Sequence, residues 1–200
     1  MKLAITGKGG VGKTTLTSLL AYLYVEQGGG VLAIDADPSP CLGAALGISR
    51  DVLDTLKPIA EMEELIYERT GAQPGTFGGY FKLNPRVDDI PDRFSVKHRG
   101  ITLLELGAVE KGGSGCICPE SVLLKQLVSH ILLRRGEMVL LDMYAGVEHL
   151  GRATAEAVRG IKINIACPQK QEFMPDKQSV NETNVEIFKN PIEAVKNSEV

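Results

Sequence analysis

The sequence predicts an α/β fold, a mostly parallel β-sheet with helices on both faces. Short apolar runs of the kind that form buried strands recur along the chain. They alternate with longer stretches whose apolar residues fall at helical spacing, which is typical of repeated strand–helix units. The predicted strands are residues 2–6, 31–34, 101–106, 138–143 and 161–166.

The loop after the first strand carries the strongest signal. Residues 7–15 read GKGGVGKTT and match G-x-x-x-x-G-K-T. Glycines let consecutive backbone N–H groups close around phosphate oxygens, and the positive end of the next helix points at the same anion. Lys13 supplies a charge for the outer phosphates, and Thr14 supplies a hydroxyl for Mg²⁺. A glycine-rich turn that binds nothing is the alternative, but the complete motif favours a P-loop NTPase. The predicted nucleotide-binding residues of the loop are Gly9, Gly10, Val11, Gly12, Lys13, Thr14 and Thr15.

Two aspartates follow the second predicted strand. The helix after the loop is predicted over residues 13–27 and ends at the glycines 28–30; the strand 31–34 comes next. Asp35 and Asp37 then stand in the sequence D-A-D-P. Because ligands of open α/β sheets bind beyond the carboxyl ends of the strands, both carboxylates are predicted to lie beside the phosphates. Acidic residues are also common in turns, so D-x-D is a weak signal when it stands alone.

The region between residues 40 and 99 is assigned no chemistry. Cys41 is predicted to be a small buried side chain. Residues 61–70 predict a solvated acidic helix. Residues 73–99 are rich in Pro, Gly and Asp, and predict a surface insertion with one short hairpin, in which His98 is exposed.

A pair of cysteines is the second source of chemistry. Cys116 and Cys118 follow a glycine-rich run and precede Pro119, a typical first residue of a helix. Two thiolates at i and i+2 can bind one soft metal, but closed Zn²⁺ sites and square-planar Ni²⁺ sites need four ligands. A two-fold axis through the metal would complete the set, because each chain would give two sulfurs. Two incidental loop cysteines are the alternative.

The strand at residues 138–143 (MVLLDM) ends in an acid, which is the Walker B pattern. Asp142 is therefore predicted to hold Mg²⁺, usually through a water. A helix at 148–159 follows it. The composition turns polar from residue 168, so the domain prediction is a P-loop ATPase domain at 1–167 and a divergent or truncated C-terminal tail at 168–200.

The composition limits the partners and the cellular compartment that are expected for this chain. The net charge of −3 favours neither a nucleic acid nor an anionic membrane as partner. No apolar run approaches the ~20 residues of a membrane-spanning helix. The first strand begins too early for a signal peptide, so the expected compartment is the cytoplasm. In that compartment the four cysteines are expected to be thiols or metal ligands rather than disulfides.

The stretch KGGVGKT resembles the deviant Walker A motif of the dimeric ATPases that include the Min, Par, arsenite-pump and nitrogenase iron protein families. The resemblance implies that Lys8 reaches the partner chain's phosphates, so that hydrolysis requires a homodimer. It also implies that Asp37 orients the attacking water and that Asp35 helps to organise the magnesium shell. The predicted catalytic residues are thus Lys8, Lys13 and Asp37.

A narrower resemblance rests on several stretches together. The chain is similar to the CooC-type nickel-insertion ATPases in KGGVGKTT (8–15), DADPSPCLG (35–43), EMEELIYERTG (61–71), KGGSGCIC (111–118) and DMYAGVEHLGRAT (142–154). The resemblance implies a dimer around ATP, one metal held between paired C-x-C motifs, and delivery of nickel to carbon monoxide dehydrogenase or acetyl-CoA synthase. It also implies that the segment 142–149 senses the γ-phosphate. Family members usually run some tens of residues longer, and their adenine-contacting elements stand where this chain has its polar tail.

The predicted function is therefore an ATP-hydrolysing nickel metallochaperone that uses ATP, Mg²⁺ and Ni²⁺ (or Zn²⁺). Its predicted partners are a second copy of the chain and a client nickel enzyme, with no nucleic acid and no membrane. The alternatives are an electron-transfer ATPase like the nitrogenase iron protein, a Min- or Par-type positioning ATPase without a metal, and a remnant that binds nucleotide without turnover.

Overall fold

The computed structural model describes residues 1–74, 80–107, 118–134, 137–143 and 161–165. Within these residues one six-stranded sheet has the order β3-β4-β2-β5-β1-β6, and all neighbours except β3 and β4 are parallel. The strands are β1 (Lys2–Gly7), β2 (Val31–Ala36), β3 (Val96–His98), β4 (Ile101–Glu105), β5 (Met138–Met143) and β6 (Ile161–Ile165). The predicted fold class is confirmed, and every predicted strand is present.

Helices are present in the connections from β1 to β2, from β2 to β3 and from β4 to β5. The longest are α1 (Lys13–Glu26) and α6 (Pro119–Arg134). Shorter ones are α2 (Leu42–Ala45), α3 (Arg50–Leu53), α4 (Glu63–Thr70) and α5 (Ile90–Phe94), with a 3₁₀ turn at Ile59–Glu61. Within the described part of the chain, none of the helices combines the length and apolar character that a membrane span requires.

The core has one layer on each face of the sheet. Along β5 every residue is buried, and successive side chains enter opposite layers: Val139 and Leu141 belong to one, Met138 and Leu140 to the other. The first layer packs against α6, α4 and α5, and the second against α1 and α2. Because a parallel strand covered on both faces must be apolar on both, the run MVLLDM is recognisable as a strand from its residue types alone.

The helix α1 confirms the predicted helix, and only part of its apolar surface is buried. Leu16 and Leu20 pack against the core, whereas Leu19 and Leu23 are more than half exposed. The fully buried part of α1 is formed by small side chains, Thr17, Ser18 and Ala21, which let the helix approach the sheet closely.

The expectations for the helix at 61–70, for the insertion at 73–99 and for Cys41 were wrong. The helix α4 is not simply solvated, because Leu65 and Ile66 are buried in the layer beneath α6. The stretch predicted as a surface insertion places Val87 and Ile90 in the same layer. The physical reason is that isolated apolar residues among Pro, Gly and Asp leave no periodic pattern, although each can still enter a core. Cys41 is exposed rather than buried.

The expected hairpin is present but lies at the end of that region. The strand β3 pairs antiparallel with β4 through a turn at Arg99 and Gly100, both with positive φ. His98 in this hairpin is half-buried rather than exposed.

Several predictions fall outside the described residues. They are the side chain of Cys116, the segment 144–149, the helix at 148–159 and the tail at 168–200. The strand predicted at 161–166 pairs with β1 and is an edge of the described sheet, which agrees with its alternation of apolar residues with Lys162 and Asn164.

Candidate functional site

The sheet order brings the predicted motifs together. The strand β5 lies between β1 and β2, so that Asp142 is in register with Ile5 on one side and with Asp35 on the other. Because the three strands are parallel, their carboxyl ends meet at one edge. The glycine loop leaves β1 at this same edge and leads into α1. Residues more than a hundred positions apart in sequence are therefore neighbours here.

The glycine loop forms the wall of a cavity. Gly10 and Gly12 have φ of 75° and 89°, a left-handed backbone conformation that L side chains rarely adopt. A Cβ at either position would meet no atom within 4 Å, so the backbone conformation rather than space requires glycine. The cavity has a volume of ≈ 380 Å³ and is lined by Gly9, Gly10, Gly12, Lys13, Thr14, Thr15 and Asp37. Val11, also predicted to bind nucleotide, lies in the loop between lining residues.

Two lysines belong to this loop. The Lys13 ammonium donates a hydrogen bond to the Lys8 carbonyl oxygen at 3.1 Å, so its charge is held against the loop itself. The side chain of Lys8 is exposed. The loop thus presents one cation in the cavity and a second at its surface.

Thr14 and Asp142, the two residues predicted to hold Mg²⁺, lie next to each other. The Thr14 hydroxyl lies near the Asp142 carboxylate, and Asp142 is only 3% exposed. Burial raises the pKa of Asp142, while the nearby Thr14 hydroxyl and the charge of Lys13 lower it. The Oδ1 atom of Asp142 is buried and has no hydrogen-bond partner among the described residues. A hydroxyl beside an unpaired carboxylate oxygen is a donor set of the hard oxygen type that Mg²⁺ prefers, so these residues fit the predicted metal.

The two aspartates after β2 occupy different environments. Asp37 is half-buried and lines the cavity, and its Oδ1 accepts the Ser39 N–H at 2.9 Å. Asp35 is 1% exposed, and its carboxylate accepts three backbone N–H groups instead. Burial raises the pKa of Asp35 to about 6, and the neighbouring charge of Asp142 adds to the effect of burial. Of the D-x-D pair, Asp37 is the residue that faces the cavity.

Glu105 is an acid of this edge that the sequence analysis missed. It ends β4 in register with Asp35, so that Asp142, Asp35 and Glu105 form a row across three adjacent strands. Glu105 is 8% exposed, and burial raises its pKa, followed by the charges of Asp35 and Glu61. Its position near the end of the apolar run ITLLEL was the available signal, since the predicted strand ends at this edge of the sheet.

Only half of the cysteine pair lies in the described residues. Cys118 is 5% exposed and stands immediately before α6. Its backbone N–H donates to the Ser121 hydroxyl at 3.2 Å, and that hydroxyl donates to the Cys118 carbonyl at 2.9 Å. The described part of the chain contains no group of three or more His, Cys, Asp or Glu residues suited to a metal ion. The C-x-C metal site stays a prediction.

Comparison with known proteins agrees with this site. Residues 2–191 match the CobQ/CobB/MinD/ParA nucleotide-binding domain family. The chain is 47% identical over 178 residues to an uncharacterized ATP-binding protein of Methanocaldococcus jannaschii, covering 89% of this chain and 67% of that protein. It is 54% identical over 158 residues to the carbon monoxide dehydrogenase accessory protein CooC of Rhodospirillum rubrum, covering 79% of this chain and 60% of that protein. The chain thus spans between 60% and 67% of the length of these two relatives.

A solved structure agrees on the fold. The chain matches cobyrinic acid a,c-diamide synthase from Mycobacterium smegmatis, with bound ADP and magnesium, at a TM-score of 0.50 and 24% identity. The match covers 82% of this chain and 60% of that one. The resemblance to CooC-type ATPases read from the motifs is confirmed by the identity to CooC. The chain belongs to the CobQ/CobB/MinD/ParA family of nucleotide-binding P-loop proteins, within which it is of the CooC type.

Proposed function

We propose that this chain hydrolyses ATP and uses the energy to hold and release nickel during the maturation of carbon monoxide dehydrogenase or acetyl-CoA synthase. ATP hydrolysis is supported by the cavity that the glycine loop and Asp37 line at one edge of the sheet, with the buried Asp142 beside Thr14. The role in maturation is supported by the 54% identity to an accessory protein of carbon monoxide dehydrogenase.

The residues of the cavity divide the work of hydrolysis. The Lys13 ammonium exchanges the Lys8 carbonyl oxygen for a phosphate oxygen, because an anion attracts the charge more strongly than a neutral acceptor does. Thr14 and Asp142 hold Mg²⁺, which when bound neutralises charge on the phosphates. Asp37 accepts a hydrogen bond from the attacking water and orients it toward the γ-phosphorus. All four side chains lie at the carboxyl edge of the sheet, where the phosphates bind.

Lys8 completes the site of a second chain. Its carbonyl oxygen accepts the bond from its own chain's Lys13, while its side chain is exposed. A cation at the surface of the loop is free to reach phosphates that a second copy presents. The functional unit proposed is therefore a homodimer with ATP at the interface.

The cysteine motif holds the cargo. Cys116 and Cys118 of each chain together give four sulfurs, the number that a square-planar Ni²⁺ or tetrahedral Zn²⁺ site requires. Cys118 precedes α6, whose buried face packs on the same layer of the sheet as β5. The motif therefore adjoins a helix that shares a core layer with the strand carrying Asp142. This connection supports coupling between nucleotide state and metal.

Metal analysis of cysteine variants tests the cargo site. The double variant Cys116→Ala/Cys118→Ala and the matched control Cys41→Ala are purified without oxygen and dialysed against limiting Ni²⁺ with ATP. We expect one nickel per dimer in wild type and in the control, in which the substitution removes the exposed thiol of Cys41 and leaves the motif intact. The double variant should retain ATP binding and lose nickel. Unchanged nickel in the double variant would refute the site, and a monomer with ATP and nickel present would refute the shared clamp.

Turnover tests the nucleotide site separately. Phosphate release by wild-type protein should depend on Mg²⁺ and fall to background in Lys13→Ala. Turnover that persists in Lys13→Ala would show that the glycine loop is not the catalytic cavity.

A further inference from the structure

Asp35 organises the loop that carries Asp37. Its Oδ1 accepts the Asp37 N–H at 3.1 Å, and its Oδ2 accepts the N–H groups of Cys41 and Leu42, each at 2.9 Å. The segment between residues 37 and 42 is thus closed on itself through one carboxylate. A carboxylate has about four acceptor positions, and three of them here are occupied by backbone N–H groups.

These bonds tie both ends of the loop to the sheet. Asp37 lies at one end, and Leu42 begins α2 at the other. Cys41, the residue before α2, makes no side-chain capping bond, so the Asp35 carboxylate serves the first N–H groups of that helix from a distance. Between the two ends Pro38 and Pro40 each fix one backbone dihedral. The loop therefore has few ways to place Asp37 once Asp35 has bound both ends.

The same contacts argue against a direct magnesium role for Asp35. Both oxygens are engaged by backbone, and the residue is 1% exposed, whereas Asp37 lines the cavity. Asp142, in the adjacent strand, has a buried oxygen with no described partner. Of the three acids, Asp142 has a buried oxygen without a described partner, Asp37 lines the cavity, and Asp35 has both oxygens bonded to its own loop.

We propose that Asp35 is a positioning residue, which holds the 37–42 loop so that Asp37 faces the cavity, and acts on hydrolysis through Asp37 rather than through magnesium. The proposal rests on the role of Asp37 in the proposed function. It differs from the role in the magnesium shell that the family resemblance implies for Asp35.

A double-mutant cycle separates the two roles. Asp35→Asn leaves an oxygen on one side but cannot accept N–H bonds with both atoms. In a wild-type background it should lower the single-turnover rate of ATP hydrolysis by about 10-fold or more, the loss expected for hydrogen bonds to a charged group. In an Asp37→Asn background the same change should alter the rate less than about 2-fold, because the group it positions is already gone. The Mg²⁺ concentration for half-maximal rate should stay within about 2-fold of wild type, whereas Asp142→Asn should raise it.

The outcomes are distinct. If the two rate losses multiply, or if Asp35→Asn raises the Mg²⁺ requirement as Asp142→Asn does, Asp35 does not act through Asp37. If Asp37→Asn alone leaves the rate unchanged, Asp37 has no catalytic role, and the proposal that Asp35 acts through Asp37 is refuted as well.

Hydrogen exchange of the wild-type protein tests the clamp without any variant. With EDTA and no nucleotide, the amides of Asp37, Cys41 and Leu42 should be protected, although two of the three lie outside helices and strands. Protection that appears only when Mg²⁺ and nucleotide are added would overturn the proposal, because the three bonds to Asp35 need neither.

Discussion

The ion pair between Arg69 and Asp89 should contribute measurably to stability. Arg69 on α4 is one of the buried charges of the fold, with its side chain 8% exposed, and its Nη2 lies 2.8 Å from Asp89 Oδ2. The same oxygen receives Arg93 Nη1 at 3.0 Å, but the Arg93 side chain is 52% exposed. The Asp89 carboxylate thus binds one buried and one solvated cation. The contributions of a buried and an exposed ion pair to stability can therefore be compared at the same acceptor.

The expected costs follow from that difference in burial. Asp89→Ala removes a charge-assisted hydrogen bond from a buried guanidinium, and such bonds are worth roughly 1.5–3 kcal/mol. Arg69 keeps its bond to the Arg86 carbonyl oxygen and its contact with Glu68, so we expect a loss of about 2 kcal/mol. Arg93→Ala removes a solvent-screened pair and the contact of the guanidinium with the Phe94 ring, and should cost about 1 kcal/mol. For a chain of this length the first change lowers Tm by about 4–8 °C and the second by about 2–4 °C.

Urea unfolding at pH 7, followed by circular dichroism and repeated by calorimetry, measures both changes. Asp89→Asn is the control for volume, since it keeps the shape and removes the charge. Equal costs for Asp89→Ala and Arg93→Ala would show that the buried pair adds nothing beyond the exposed one. The reasoning from burial would then be refuted.

Three further predictions concern the metal, the dimer and pH. Asp142→Asn should raise the Mg²⁺ concentration for half-maximal ATP hydrolysis by about 10–100-fold, because it removes the charge of the buried acid near Thr14; an unchanged titration would remove Asp142 from the metal site. Lys8→Ala and Asp37→Asn should each retain only a small residual turnover alone, but an equal mixture should recover about a quarter of wild-type turnover, since half of the dimers then contain one complete site. No recovery in a mixture shown to exchange subunits would place Lys8 in its own chain's site. The bond from Arg69 holds the pKa of Asp89 at about 2, below the 3.8 of a free side chain. Its stabilisation should therefore be complete above about pH 5 and be lost as the pH falls from about 4 to 2, whereas Asp89→Asn should lack this phase in acid unfolding.

Local patterns were sufficient for the glycine loop and for most of the strands. The loop is a contiguous motif whose backbone geometry depends on its own glycines, as the positive φ of Gly10 and Gly12 shows. The strand β5 was readable because a strand covered on both faces leaves a continuous apolar run. Its acid, Asp142, was assigned to the site for a related reason, since strand ends in such sheets face the ligand.

Local sequence patterns did not predict which isolated residues enter the core. Val87 and Ile90 enter the core from a stretch with no periodic pattern, and Arg69 is buried because Asp89, twenty positions later, neutralises it. Neither fact has a signature within a short window of sequence, because the partner that makes burial favourable comes from another element.

The division between Asp35 and Asp37 shows most clearly what each level of description decided. The sequence by itself determined that two carboxylates follow a buried strand and a P-loop, and hence that acids would lie at the phosphate edge. Only the tertiary structure decided that the Asp35 carboxylate accepts backbone N–H groups of its own loop, whereas Asp37 lines the cavity. The physical reason is that a motif specifies which chemical groups are near the ligand, whereas burial and hydrogen-bond partners, which come from the whole sheet, specify what each group is free to do.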